Sequence, residues 1–319
     1  MRMPVRLLSL PLLALACWGL VSCGSSDTTT PPPVAANPFA AAKVGTDTTL
    51  EVMTWNLRTF PISFDEDNPL PAADLVTVKL VIQAIAGLDA DIVAVQEIFQ
   101  NNGHPGRSAF DAVAAALEDW DGYRSTDNGY MDLGFFYRSG GDLVIDSFTD
   151  IYTGNSGPFP RAPLVMQATW RGRPIVVINN HLKAMGDPTS EERRREACLL
   201  LEQYVETTFP DTPVIIVGDL NDELDDPLPG NVFANFLADT AGWRFVDLGF
   251  TRSAGGPVSY PSWPSHLDHI LITDELFMAA EKAEALVQVV QLEAYLRGGL
   301  SDYYRYLSDH RPVVLRLVP

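Results

Sequence analysis

Short apolar segments of strand length recur along the chain from about residue 50 onward. Several are apolar at consecutive positions, which is typical of strands buried on both faces of a sheet. The segments that we predict as strands are residues 50–56, 91–97, 133–138, 142–148, 163–170, 174–181, 213–221, 266–273, 285–293 and 311–317.

Segments with helical patterning lie between the predicted strands, at residues 72–88, 107–120, 189–209 and 231–241. Thr189 and Glu192 have the spacing of a capping box after Pro188, so we expect the third helix to begin there. The predicted strands outnumber the helices, and the two types do not alternate strictly. This order favours an α/β fold in which two mixed β-sheets pack face to face with helices on the outside.

The composition fits one large acidic domain. The chain has 319 residues, and 46% of them are hydrophobic, which is enough for a sizeable core. The formal net charge of -19 repels phosphate backbones at long range, so we expect no tight nucleic-acid binding. We also expect the protein to be a monomer. This charge is still compatible with an enzyme that meets phosphate through a bound cation, because the ion reverses the local sign.

The N-terminal residues resemble a bacterial lipoprotein signal. Arg2 and Arg6 precede a mainly apolar stretch, and residues 20–23 read LVSC, which is similar to a lipobox. The alternative is an ordinary secretory signal with a coincidental cysteine. The organisation that we expect is a signal peptide at 1–22, a lipidated Cys23, a Ser/Thr/Pro/Ala-rich tether at 23–49 and a folded domain at 50–319.

Cysteine usage agrees with this organisation. Cys17 falls in the expected signal peptide and Cys23 at the expected anchor, so Cys198 is the one cysteine left for the domain. No disulfide can form within the domain, and the apolar neighbours of Cys198 predict a buried helical thiol without chemistry. The lipid would hold the domain on a membrane outside the cytoplasm.

Polar side chains stand at the ends of several predicted strands. Taken singly, each has an ordinary structural explanation, such as a turn or a solvated strand end. Taken together they indicate a site, because strand ends meet at one edge of a sheet, where open α/β folds bind their ligands. The residues are Asn56, Glu97, Asn180, His181, Asp219, Asn221, His266, Asp268, Asp309 and His310.

The chemistry of this set indicates phosphoester hydrolysis. Carboxylates and amides are hard oxygen ligands, which suit magnesium, manganese or calcium better than zinc. The motifs HExxH and GxSxG and the glycine-rich nucleotide-binding loops are absent from the sequence. In phosphoester hydrolysis a hard cation neutralises phosphoryl oxygens, a base activates water and an acid protonates the leaving oxygen.

The motif series resembles the endonuclease/exonuclease/phosphatase superfamily, which has the DNase-I-like fold. The matching segments read WN at 55–56, QE at 96–97, NHLK at 180–183, GDLN at 218–221, LDHI at 267–270 and SDHRP at 308–312. They occur in the family's order and span nearly all of the expected domain. The resemblance implies a four-layer α/β sandwich and metal-assisted hydrolysis of phosphate esters, with Mg2+ as the cofactor and Mn2+ as its alternative.

The resemblance also implies metal ligands. Glu97 matches the family's principal metal carboxylate, with Asn56 beside it and Asp309 completing the acidic pocket. Arg58 stands where the DNA-repair branch carries an acid. We expect Arg58 either to contact a substrate phosphate or to lie exposed in solvent.

The implied catalytic residues are His181, Asp219, Asn221, Asp268 and His310. His310 matches the imidazole that activates water or stabilises the phosphorane, and Asp268 matches the carboxylate that orients it. Asp219 would hold or polarise the attacking water, and Asn221 would donate a hydrogen bond to a phosphate oxygen. His181 matches the histidine that protonates the leaving alkoxide in the nuclease branch.

These observations predict a divalent-metal-dependent phosphoester hydrolase, foremost a phosphodiesterase acting outside the cytoplasm on nucleic acid, a phospholipid head group or a sugar phosphate. Diester and monoester substrates both stay open. The alternative is a surface-anchored binding module that keeps the fold without catalysis, and the full set of pocket residues argues against it. The arginine run at 193–195 predicts ion pairs with neighbouring glutamates on a helix surface.

Overall fold

The computed structural model describes residues 36–61, 72–99, 106–126, 129–138, 140–228, 230–251 and 254–319. The expected signal peptide, Cys23 and the first part of the expected tether lie outside these residues. Within the described part of the chain, no helix combines the length and the apolar character needed to cross a membrane.

Every predicted strand is present, most with small shifts at the ends, whereas the strand predicted at 285–293 ends at Val289 and is followed by a 3-10 helix at Leu292–Tyr295. The strands are β1 (Leu50–Phe60), β2 (Ile92–Phe99), β3 (Trp120–Arg124), β4 (Met131–Arg138), β5 (Leu143–Asp150), β6 (Leu164–Trp170), β7 (Arg173–His181), β8 (Val214–Asp219), β9 (Trp243–Phe245), β10 (Asp268–Thr273), β11 (Leu286–Val289) and β12 (Val313–Leu317). The sequence did not predict β3 and β9, because β3 is a half-exposed edge strand and β9 is very short.

The helices include the predicted ones and two further short ones. They are α1 (Ala72–Leu88), α2 (Gly106–Ala116), α3 (Pro188–Thr208), α4 (Ala234–Ala238), α5 (Phe277–Ala280) and α6 (Leu300–Tyr306). The start of α3 differs from the predicted capping box. Asp187 is the N-cap, and its carboxylate accepts hydrogen bonds from the backbone N–H groups of Thr189 and Ser190.

The strands form two six-stranded sheets, in the orders β11-β12-β1-β2-β4-β3 and β5-β6-β7-β8-β10-β9. Both sheets are mixed, since β1 runs parallel to β2 and antiparallel to β12, while β7 runs parallel to β8 and β8 runs antiparallel to β10. This arrangement confirms the predicted pair of mixed sheets.

The apolar cores show that the molecule has four layers. Successive side chains of a strand point to opposite faces, so Val52 of β1 packs into the core between the sheets while Met53 packs into the core beneath the helices. On the second sheet, Val176 of β7 packs against α3, where Cys198 is buried as predicted. Helices therefore cover the outer face of each sheet, as the four-layer prediction required.

The compact unit that contains the sheets begins before residue 50. It extends from Ala36 to Pro319, and Phe39 and Val44 are buried in the core beneath the helices. Residues 36–49, which the sequence analysis assigned to the tether, are therefore packed into the domain because they carry apolar side chains that the core accepts.

The arginine run on α3 also differs from the prediction. Arg195 forms the expected surface ion pair, at 2.5 Å from Glu192. Arg193 instead donates to the backbone carbonyls of Ser156 and Gly157. Arg194 is buried, with 2% of its side chain exposed, so the triplet does not form a uniform solvated face.

Candidate active site

Strand register brings three polar strand ends together. His181 at the end of β7 is paired with Asp219 at the end of the parallel strand β8. Asp219 is in turn paired with Asp268 at the start of the antiparallel strand β10. The fold therefore places these three residues side by side at one edge of the second sheet.

Gly218 allows β8 to approach β7 closely just before Asp219. Its φ angle is +147°, and a Cβ atom at this position would lie 2.0 Å from the backbone oxygen of Asn180. Only glycine fits such a close backbone approach without displacing a strand.

Asn56 joins the two sheets at the site. Its Nδ2 donates to Glu97 Oε1 at 3.2 Å and to Asp219 Oδ2 at 2.9 Å. Its Oδ1 accepts from the backbone N–H of Arg58 at 2.8 Å. Asn56 of the first sheet thus orients one carboxylate from each sheet toward the same point.

Site residues adopt unusual backbone conformations. Arg58, Thr59, Glu97 and Asn221 all have positive φ angles, of 48°, 41°, 63° and 58°. Non-glycine residues rarely adopt this left-handed region, and such strain concentrates at functional sites. The conformation of Glu97 is held in part by the backbone N–H of Thr59, which donates to Glu97 Oε2 at 2.7 Å.

His310 is a buried cation held by two carboxylates. Its Nδ1 lies 2.7 Å from Asp268 Oδ2 and its Nε2 lies 3.8 Å from Asp219 Oδ2. Burial acts to lower the pKa of His310, but the negative charges of Asp268 and Asp219 outweigh burial and hold this pKa well above its usual range.

Asp219 lies at the centre of the cluster. Burial, together with the negative charges of Asp268 and Glu97, raises the pKa of Asp219 to about 7, against the opposing effects of His310 and Asn56. A carboxylate with this pKa can accept a proton near neutral pH. Its side chain also shapes the next turn, since Asp219 Oδ1 accepts from the backbone N–H of Asn221 at 3.1 Å.

His181 faces the same carboxylates from the other side. Its Nε2 lies 3.5 Å from Asp219 Oδ2 and 3.9 Å from Glu97 Oε1. Burial, with the positive charges of Arg161 and His310, keeps the pKa of His181 well below its usual range. Its Nδ1 is buried without a hydrogen-bond partner among the described residues, so the polar neighbours of the ring are the two carboxylates that face Nε2.

Asp309 and Arg58 form an ion pair next to the site residues Asn56 and His310. Arg58 Nε lies 3.7 Å from Asp309 Oδ2, and Arg58 NH1 donates to the backbone carbonyl of Tyr304 at 2.9 Å. The side chain of Arg58 is one-third exposed, and its contact with a substrate phosphate stays a prediction. Asn221 lies beside the end of β7, where its Nδ2 donates to the backbone oxygen of Leu182 at 3.2 Å.

The structure adds two cationic residues that the sequence analysis did not assign. Arg161 and Lys183 line a pocket of about 510 Å³ together with Tyr130, Tyr152 and Phe159. Burial lowers the pKa of Arg161, while the nearby charges of Glu97 and Asp219 act in the opposite direction. Arg161 lies in a loop without a motif of its own, so only the tertiary structure reveals its place beside the site.

Gln96 and Asn179 form a buried hydrogen-bonded pair close to the site. Gln96 Nε2 donates to Asn179 Oδ1 at 2.8 Å, across the two sheets. Asn179 Nδ2 donates in turn to the backbone oxygens of Val95 and Gly134. These residues stand one position before Glu97 and two before His181, and they fix the alignment of the strands that carry them.

The acidic side of the cleft fits a hard divalent cation. Glu97 and Asp219 are close enough to share Asn56 Nδ2 as a donor, and the raised pKa of Asp219 shows that its buried charge is incompletely compensated. Oxygen donors in this arrangement suit Mg2+ or Mn2+. Asp219, Asp268 and His310 also have ligand atoms within 4.8 Å of one another.

A second His–Asp group is explained by hydrogen bonds instead of a metal. Asp247 Oδ2 lies 2.6 Å from His269 Nδ1 and 3.0 Å from His266 Nε2. Both ring nitrogens of His269 face acceptors, since Nε2 lies 2.9 Å from the backbone oxygen of Asp222. His269 is therefore an imidazolium, and its pKa is raised because Asp247 outweighs the opposing effect of burial.

Comparison with known proteins now decides the family. A family model described as "Endonuclease/Exonuclease/phosphatase family" matches residues 53–310. The chain belongs to the endonuclease/exonuclease/phosphatase family. Members of this family are typically metal-dependent phosphoester hydrolases, and the acidic cleft described above agrees with metal binding. A search of curated protein sequences finds no match.

Solved structures of this family share the fold at low sequence identity. D. rerio TDP2 humanised by 14 mutations superposes with a TM-score of 0.61 at 16% identity, covering 86% of this chain and 100% of that chain. The human nocturnin catalytic domain with bound sulfate gives 0.56 at 16% identity, covering 86% and 95%. A Bacteroides vulgatus family member gives 0.56 at 16% identity, covering 85% and 98%.

Proposed function

We propose that this family member is a divalent-metal-dependent phosphodiesterase that acts outside the cytoplasm. The observation that carries the proposal is the convergence of Glu97, Asp219, His181 and the Asp268–His310 pair around one cleft. These residues are far apart in the chain, and nothing in the packing of a purely structural domain requires their charges to meet.

Glu97 would hold the cation, with Asp309 and Asn56 beside it. When bound, a divalent cation neutralises charge on the phosphoryl oxygens and so lowers the barrier to attack. Asn56 contributes chiefly by orientation, because its Nδ2 already faces Glu97 and Asp219. Mg2+ is the proposed ion and Mn2+ the alternative.

Asp219 would accept the proton of the attacking water. Its pKa of about 7 places it near the operating pH of a general base. Asn221, whose backbone N–H is fixed by Asp219 Oδ1, would turn its side-chain amide to a phosphate oxygen. An amide can donate there without adding charge.

The two histidines would take different parts of the reaction. His310, kept protonated by Asp268 and Asp219, would stabilise the negative charge that develops on the phosphorane oxygens. His181, which is neutral, would donate a hydrogen bond from Nε2 to the leaving oxygen, and that oxygen would take its proton from solvent. Arg58, next to Asp309, borders the cleft where a substrate phosphate would enter.

The substrate proposed is a phosphodiester of nucleic acid or of a phospholipid head group. The pocket lined by Arg161 and Lys183 supports an anionic substrate, because it supplies positive charge beside an acidic cleft. The net charge of -19 supports transient instead of tight contact with a polyanion. A lipid on Cys23, within the LVSC segment, would hold a monomeric domain at a membrane.

Hydrolysis of bis-p-nitrophenyl phosphate by the purified protein, with and without Mg2+, tests the proposed reaction. We expect Mg2+-dependent turnover that falls roughly a hundredfold in His310→Ala. The exposed Glu192→Gln variant serves as the control and should keep its activity. Absence of turnover in the native protein, with Mg2+ or Mn2+, would point instead to a binding module that retains the fold.

A parallel assay identifies the substrate class. Plasmid DNA, sphingomyelin, phosphatidylinositol phosphates and simple monoesters would be compared at equal concentration. We expect one of the diester substrates to have a higher kcat/KM than the monoesters. A preference for monoesters would overturn the phosphodiesterase assignment while leaving metal-dependent hydrolysis in place.

A further inference from the structure

Arg194 of α3 is a buried cation that holds two loops of the cleft together. Its NH1 donates to the backbone carbonyls of Lys183 and Met185 at 2.6 and 2.7 Å. Its Nε and NH2 both donate to Asp222 Oδ2, at 2.9 and 2.8 Å. One guanidinium thus joins the loop that follows β7 to the loop that follows β8.

These two loops carry proposed catalytic residues. His181 stands two positions before Lys183, and Asn221 stands directly before Asp222. The loops also touch each other, since Asn221 Nδ2 donates to the backbone oxygen of Leu182 at 3.2 Å. A movement of either loop would change the distance between His181, which faces the leaving oxygen in the proposed reaction, and Asn221, which follows the proposed base Asp219.

The contact continues into β10. The backbone oxygen of Asp222 lies 2.9 Å from His269 Nε2, and His269 Nδ1 lies 2.6 Å from Asp247 Oδ2. His269 is adjacent to Asp268, the partner of His310. Arg194, Asp222, His269 and Asp247 are therefore linked in series, because Asp222 accepts from Arg194 with its carboxylate and faces His269 with its backbone oxygen.

Stability alone does not account for this arrangement. Burying a guanidinium and carboxylates carries a desolvation penalty, and well-packed apolar side chains often stabilise a core equally well. The forked guanidinium of arginine instead fixes the positions of several acceptors at once. Small displacements of reacting groups have large effects on turnover.

We propose that Arg194 is a positioning residue, which sets His181 against Asp219 and Asn221 by holding the loops that follow β7 and β8. This inference rests on the proposed phosphodiesterase function. Arg195, the next residue on α3, is a matched control, since it pairs with Glu192 and its side chain is 31% exposed.

The test compares Arg194→Met and Arg194→Lys with Arg195→Met and Arg195→Lys in the Mg2+-dependent bis-p-nitrophenyl phosphate assay. Arg194→Met should lower kcat by roughly ten- to a hundredfold with KM changed less than about threefold. Arg194→Lys should recover part of the loss, because an ammonium keeps the charge without the fork. Both Arg195 variants should stay within about twofold of the native protein. All would be assayed where circular dichroism shows a folded chain.

A double-mutant cycle with Asp222→Asn tests the contact itself. If Arg194 acts through Asp222, the double variant should lose no more activity than the more impaired single variant. A fall in Tm with kcat unchanged in Arg194→Met and Arg194→Lys would overturn the inference, because it would reduce Arg194 to a stabilising residue.

A readout without substrate separates this inference from the proposed function. Imidazole NMR signals of His181 should move in Arg194→Lys and stay in place in Arg195→Lys. If the native protein has no turnover, the proposed function fails, and the NMR comparison still decides whether Arg194 positions His181. Unchanged His181 signals in both Arg194 variants would refute the positioning role.

Discussion

At the scale of single residues, the two imidazoles of the cleft differ in charge. Asp268 and Asp219 keep His310 protonated, whereas burial and nearby cations keep His181 neutral. The two rings face the same carboxylate, Asp219 Oδ2, from 3.8 and 3.5 Å. A cation and a neutral donor on opposite sides of one acid suit a reaction that needs charge stabilisation and proton transfer at different oxygens.

The Asp268→Asn substitution tests this division of charge. It preserves the size of the side chain but removes the charge that outweighs burial at His310, so the pKa of His310 should fall toward its usual range. We expect kcat at neutral pH to drop at least about tenfold, with the pKa followed by imidazole NMR. Asp274→Asn, just past the other end of β10, is the control. An unchanged His310 pKa would contradict the assigned cause.

The buried carboxylate of Asp91 makes the stability of the fold depend on pH. Burial, with the adjacent carboxylate of Glu51, raises the pKa of Asp91 from 3.8 to about 7. The folded state therefore binds a proton that the unfolded state releases, so this group destabilises the fold progressively as pH rises from about 4 to about 7. Below that window the contribution of Asp91 is at its most favourable.

Asp91→Asn should remove this dependence. The amide still accepts from the backbone N–H of Glu51, which donates to Asp91 Oδ2 at 2.9 Å, and it supplies a permanent donor to the Glu51 carboxylate. We expect a gain on the order of 2 kcal/mol in unfolding free energy at pH 8 and almost none at pH 4, measured by urea unfolding. Asp47→Asn, an exposed neighbour, should change stability at neither pH. An equal gain at both pH values would disprove the explanation.

Single residues also differ in how well their surroundings could be predicted. Glu97, Asp219 and His310 were recognisable because each follows or precedes an apolar strand in a known motif. Arg161 and Arg194 carry no such signal, since one lies in a loop and the other in a run of arginines. Their burial and their partners depend on residues distant in the chain.

At the scale of elements, the site depends on the close parallel pairing of β7 and β8. His181 and Asp219 are register partners, and Gly218 brings the strands together directly before them. The position of the strand ends is therefore set by backbone hydrogen bonds and not by flexible loops. This explains why polar residues at the strand ends come together in space.

Gly218→Ala tests this element-level requirement. The added Cβ would lie 2.0 Å from the backbone oxygen of Asn180, at a φ of +147° that alanine rarely adopts. We expect a loss of more than about 3 kcal/mol in unfolding free energy, measured by chemical denaturation. Gly249→Ala, which meets no atom within 4 Å, is the matched control. Equal stability of the two variants would show that β7 and β8 can separate at no cost.

At the scale of the whole molecule, the cleft lies where the two sheets meet. Asn56 comes from the first sheet and Asp219 from the second, and Ser308 Oγ donates to the backbone oxygen of Asn56 at 2.6 Å. A cation held by Glu97, whose carboxylate accepts from Asn56 next to Asp219 of the second sheet, would therefore stabilise the packing of one sheet on the other. Metal binding should be visible in global stability.

Thermal unfolding with Mg2+ measures this linkage. At a free Mg2+ concentration of roughly 100 times Kd, binding to the folded state alone adds about 2.7 kcal/mol. We expect a clear rise in Tm for the native protein and for Glu192→Gln, and no rise for Glu97→Gln. A rise of the same size in Glu97→Gln would place the ion elsewhere.

The sequence by itself determined ten of the twelve strands in the described residues, the two mixed sheets and the polar residues at strand ends, because strand periodicity and strand-end chemistry are local properties of the chain. Only the tertiary structure decided that Arg194 is buried, that residues 36–49 join the domain and that Arg161 and Lys183 line one pocket. The physical reason is that burial, pKa and charge pairing depend on which distant segments come into contact, and no local pattern encodes those contacts.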